Sequence, residues 1–92
     1  MYKESQTLRV DLQEIILKAS KMKEDATVLY SEKNEVYFIT NNPIISNELS
    51  LLLMNLRIAI TVKYHAEKRI VLIKTEKKSE KIIKDFIRRK NL

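Results

Sequence analysis

The chain contains no glycine. Glycine is the residue that enters left-handed backbone geometry without steric cost. Its absence therefore closes off the Gly-rich phosphate loop, the dinucleotide fingerprint and the usual nucleophile elbow. Turns have to be made by other residues, and asparagine is the natural substitute at left-handed positions. Asn34, Asn41, Asn42 and Asn55 all stand near breaks in the hydrophobic pattern. A single His and no Cys exclude the common Cys/His zinc sites within one chain, a disulfide framework and thiolate chemistry.

The 92 residues, 45% hydrophobic and 33% charged, bound one domain over 1–92 with a core just adequate for independent folding. The longest apolar run, "LSLLLM" with its flanks, is too short to span a bilayer. No basic start followed by a small-residue cleavage site is visible, which indicates a cytoplasmic protein without a membrane partner.

Along the chain, residues 1–10 are expected to form a flexible arm. Asp11 then reads as a helix N-cap, with Glu14 completing a capping box and Val10 and Ile15 forming a hydrophobic staple. Leu12, Ile15, Ile16, Ala19 and Met22 extend one helix face over about 12–23. "TVLY" and "VYFI", separated by "SEKNE", predict a hairpin with Asn34 at its left-handed position. Asn42 as N-cap and Pro43 at the first helical position begin a second helix, running to about Asn55. Its buried face is expected to hold Ile44, Ile45, Leu49, Leu52, Leu53 and Leu56. "IAITVKY" alternates with Ile58, Ile60, Val62 and Tyr64 on one side, and "RIVLIK" completes a second hairpin. A third helix over about 77–90 buries Ile82, Ile83, Phe86 and Ile87. The order αββαββα defines an α+β domain, with an antiparallel sheet of two hairpins and helices mainly on one face.

Charge is distributed unevenly. Residues 1–56 carry 6 basic and 8 acidic side chains, whereas residues 57–92 carry 12 and 4. Such a basic half is suited to an anionic partner. Lys63, His65, Lys68 and Arg69 lie around the second hairpin, and Lys77, Lys81, Lys84, Arg88, Arg89 and Lys90 on the closing helix. Together they form a candidate phosphate-contacting surface for nucleic acid, DNA ahead of RNA. Against this stands the ordinary solvated helix face, in which Lys and Arg complement the helix dipole and pair with Glu80 and Asp85. Tyr37 is the one tyrosine placed for base stacking, and Tyr64 belongs to the core side of its strand.

If Val28, Tyr30, Val36, Phe38, Ile58, Ile60 and Val62 face the helices, then Leu29, Tyr37, Ile39 and either Val71 or Ile73 face away. That second face is too apolar to leave wet, so Leu29, Tyr37 and Ile39 form a candidate protein interface in a homodimer or with a partner protein. A phage- or plasmid-type inhibitor or assembly subunit is the alternative function on this ground.

The segment "VYFITNNPIISNELSLLLMNLRIAITVKYHAEKRIVLIK", residues 36–74, carries a family resemblance. A strand ending in Thr-Asn, an amphipathic helix closing in a Leu-rich turn and a basic hairpin resemble one half of the LAGLIDADG homing-endonuclease fold. They are also similar to the non-cleaving WhiA-type regulators built on it, and the order is shared with a double-wing phage transcription-factor domain. The resemblance implies DNA binding. It also implies close helix packing through small residues and a metal-holding acid at the end of the first helix. Here "LKASKMKEDAT" offers Ala19 and Ser20 without Gly, and Asp25 beside Glu24 is the positional match for the acid. Because the motif is degenerate, these carboxylates read as loop residues, and no catalytic residue, metal or cofactor is assigned; metal-dependent endonuclease activity through Glu24 and Asp25 is the remote alternative.

Overall fold

The computed structural model describes residues 27–91 together with Glu14, Leu17, Lys18 and Lys21. Those four positions are helical and exposed, on the side opposite the apolar face expected for the first helix. The rest of that helix, the arm over 1–10, and Glu24 and Asp25 lie outside the described residues.

The described chain runs β1 (Thr27–Ser31), β2 (Glu35–Thr40), α1 (Pro43–Asn55), β3 (Ile60–His65), β4 (Ile70–Glu76), a 3-10 turn (Lys77–Ser79) and α2 (Glu80–Arg89). All four strands are antiparallel in one sheet of order β1-β2-β4-β3, so the two hairpins join through their second strands. This is the α+β arrangement read from the sequence. One core holds it together: Val36, Phe38, Val71 and Ile73 from the sheet meet Leu49 and Leu53 of α1 and Ile83 and Phe86 of α2. Burying each such side chain contributes about 1.5–3 kcal/mol before entropy.

Local chemistry accounts for the helix boundaries. The Asn42 side-chain oxygen accepts from the Ile44 and Ile45 N–H groups at 3.0 and 3.3 Å, and Pro43 follows it at the first helical position. At the other end, the Arg57 N–H donates to the Met54 carbonyl and the Ile58 N–H to the Leu53 carbonyl, both at 2.9 Å. Those two bonds make a Schellman closure, which needs a left-handed residue just past the helix. Arg57 supplies it at φ 60°.

The left-handed positions among the described residues are Arg57, Arg69 and Asn91. Asn34 is not among them, contrary to expectation. Its hairpin closes instead through a Glu32 N–H to Glu35 carbonyl bond of 2.8 Å, and the Asn34 carbonyl accepts from the Lys77 N–H at 3.1 Å.

The first hairpin also corrects the expected facing of β1. Ser31 pairs with Val36 and Leu29 with Phe38, so Leu29 turns towards the helices and packs on the core. Val28 and Tyr30 share the opposite face with Ile39 and Tyr37. The reason is parity. The paired Ser31 and Val36 enclose four residues, an even number, which sets odd positions of one strand beside even positions of the other, and a one-residue shift would exchange both faces. On β4, Val71 and Ile73 both face the helices, leaving Ile70, Leu72 and Lys74 behind.

The part of that second face on the central strands β2 and β4 is nevertheless dry. Ile39 and Ile70 are fully buried within the chain, and Leu72 and Tyr37 are 7% and 8% exposed. Leu29, Tyr37 and Ile39 therefore do not form an open interface, and the expectation of a partner covering them loses its premise. Central strands covered on both faces read as unbroken apolar runs, as "VYFI" and "IVLI" do.

Candidate nucleic-acid interface

The basic residues named from sequence separate into two groups. At the β3–β4 connection, the Lys68 N–H donates to the His65 carbonyl at 3.1 Å and the Arg69 N–H to the Ala66 carbonyl at 3.3 Å. Arg69 turns the chain into β4 from a left-handed conformation, φ 53°. Lys63 stands opposite Leu72 and His65 opposite Ile70, both on the sheet face away from the helices. Lys63, Lys68 and Arg69 are exposed and His65 half-buried.

The second group rides on α2. Ile83 and Phe86 are buried, Ile82 and Ile87 pack beside them, and the Phe86 ring meets Phe38 edge-on with centroids 6.2 Å apart. Docking by that face leaves Lys81, Lys84, Arg88 and Arg89 exposed. Arg88 pairs with Asp85 at 3.1 Å and Lys77 with Glu80 at 3.3 Å. Lys90 pairs with Glu48 of α1 and sits 5.9 Å from the centre of the Phe86 ring, bracing the two helices. At the start of α2, the Ser31 hydroxyl donates to Glu80. That bond, with Lys77 beside it, holds the Glu80 carboxyl below its ordinary value.

Sheet order decides how the groups relate. β3 is one edge and β1 the other; α1 contacts β2, β3 and β4, while α2 begins against β1. The hairpin tip and the α2 stripe thus lie towards opposite edges with α1 between them, rather than along one strip. Of the ten sequence-named residues, Lys63, Lys68, Arg69, Lys81, Lys84 and Arg89 make no ion pair with a described residue. Arg57, which the sequence reading passed over, is exposed in the same condition, as are Lys18, Lys21 and Lys33 outside the basic half.

Tyr37 is closed to stacking. It lies beside Tyr30, with ring centroids 6.0 Å apart, and its hydroxyl donates to Glu35 at 3.4 Å. Burial, with Glu32 and Glu35 nearby, pushes its hydroxyl up to about 12. Burial and Glu35 likewise raise the Glu32 carboxyl, partly offset by Lys74.

Sequence reasoning also missed an exposed apolar surface. Tyr64 stands on the helix side of β3, as expected, but is 64% exposed, and Val62 beside it is 50% exposed. Ile44 on α1 and Leu56 just past its end are exposed instead of buried, and Leu51 and Met54, outside the expected buried face, are exposed as well. A cleft of about 430 Å³ between α1 and β3 is lined by Ser46, Asn47, Ser50, Val62, Tyr64 and Arg69. A signal for it was present: α1 carries one charged residue, Glu48, in 13.

Among the described residues no three or more His, Asp or Glu gather as a metal site, and no helix is long and apolar enough to cross a membrane. Comparison with protein-family profiles, curated proteins and solved structures returns no match.

Proposed function

We propose that this chain binds nucleic acid without catalysing a reaction on it, holding the phosphate backbone through the β3–β4 tip and the exposed side of α2. The observation that carries this is the set of exposed cations without a carboxylate partner among the described residues: Lys63, Lys68, Arg69, Lys81, Lys84 and Arg89. A solvated helix face usually intersperses its acids, and Lys77 and Arg88 show that local pairing. The Arg88–Asp85 pair is the more exposed of the two, worth at most about 1 kcal/mol, and exchanges readily for phosphate, whereas Lys77–Glu80 is half-buried. His65 lies at the base of the tip, within the same patch.

Contacts of this kind fix position and affinity, not sequence. Duplex DNA is the leading ligand because the two groups are separated across the molecule and a stiff polyanion can engage both. The LAGLIDADG resemblance is a likeness of element order and adds no site residue.

Fluorescence anisotropy with duplex DNA, single-stranded DNA and RNA at a series of salt concentrations tests the proposal. Six phosphate contacts from each chain bound give a log–log salt slope of about −5 per chain on duplex, at about −0.9 per contact. Affinity that hardly changes with salt, or no binding at low salt, overturns it.

A further inference from the structure

We infer that β3 is a self-pairing edge, and that two copies of this chain join there into one continuous eight-stranded sheet. This stands apart from the nucleic-acid proposal, since it concerns the free protein.

β3 pairs with β4 on one side only and ends the sheet. Edge strands are commonly protected by proline, charged side chains, bulges or a covering element, because unpaired N–H and C=O groups recruit another strand; β3 carries one such charge, Lys63. β3, "ITVKYH", has no proline, keeps regular register with β4 along its whole length, and leaves its middle four residues exposed. Beside it, the α1 residues that line the cleft with β3, Pro43, Ser46, Asn47 and Ser50, carry no charge. In a chain that is 33% charged, such depletion, with Tyr64 present, is the composition of a protein interface.

The sequence of β3 selects a second copy as the occupant. Antiparallel pairing about a two-fold axis at Val62 sets Val62 against the partner's Val62 and Tyr64 against the partner's Ile60. Both are favourable cross-strand pairs on the helix side. Lys63 falls opposite the partner's Thr61, so the two lysines avoid one another. The next symmetric register, centred on Lys63, sets them face to face. Carried beyond the strand, the Val62-centred register brings Glu67, at the hairpin tip, alongside the partner's Arg57. Neither has an ion pair among the described residues, and symmetry supplies the complementary contact twice.

Sedimentation equilibrium of the protein alone over a range of concentrations tests this. The expected result is a reversible dimer of twice 10.9 kDa. Val62→Lys, at an exposed position, sets two like charges on the axis and raises the dimer dissociation constant about a hundredfold. Arg57→Glu and Glu67→Arg each weaken the dimer, and the double exchange restores it, a rescue that a general folding defect would not produce. A monomer at every concentration, a dimer untouched by Val62→Lys, or single exchanges that the double variant does not repair each overturns the inference. So does association only with an added extended peptide.

Discussion

A non-glycine residue in the left-handed region gives up about 1–2 kcal/mol of backbone energy, and Arg57, Arg69 and Asn91 all accept that cost. Two of the three are cations in the basic half, so where glycine would make a neutral turn this chain makes a charged one. Arg69→Gly relieves the strain and loses about 0.5–1 kcal/mol to the freer unfolded chain. The expected outcome is a net stabilisation of about 0.5–1 kcal/mol in urea unfolding, together with weaker binding to duplex. A destabilised variant would show that the Arg69 side chain contributes more than its backbone costs. Glu80 offers a pH test at the same scale. Its folded value lies below the ordinary 4.5 because the Ser31 hydroxyl and Lys77 favour the ionised form. The stability it contributes is complete above pH 4.5 and is lost as pH falls through the lower folded value. Ser31→Ala removes the leading cause, so the Glu80 titration followed by NMR moves upward and the acid limb of the stability curve flattens.

At the scale of elements, α2 joins two roles that substitution separates. Phe86 is buried against Phe38 and the core, so Phe86→Ala costs about 3–5 kcal/mol in denaturant unfolding. Lys84→Ala on the exposed side leaves stability within about 0.5 kcal/mol and reduces the magnitude of the salt slope by about 1. A Lys84→Ala slope equal to wild type would assign that side of α2 to solvent. This division was legible in the sequence because apolar residues at helical spacing name the docked side and, by exclusion, the wet one. The Asn42–Pro43 start of α1 was legible too, since a cap acts through its nearest neighbours. The facing of β1 was not: it turns on whether the connection has an odd or even number of residues, and "SEKNE" fits either count. Nor were the exposed Ile44 and Leu56. A helix as apolar as "PIISNELSLLLMN" does not disclose which side the sheet covers, and only the sheet order shows that β3 ends there.

The whole molecule sets how far its basic groups can act together. Within one chain, the hairpin tip and the α2 stripe are separated by α1, and each alone is a modest patch. Pairing through β3 changes the arithmetic. β3 ends at His65, three residues from the axis, so at about 3.3 Å per residue the two strand ends lie about 20 Å apart with the tips beyond them, pointing in opposite directions along the paired edge. The dimer then engages twice the phosphates of the monomer on a duplex long enough to reach both tips. The expected log–log salt slope is about −10 for the wild type against about −5 for Val62→Lys. On a duplex too short to reach both tips only one subunit finds phosphates, and the wild-type slope falls to the value of the variant. Equal slopes on long duplex, with sedimentation still showing a dimer, would mean that the tips do not share one DNA. The pairing would then serve stability rather than binding.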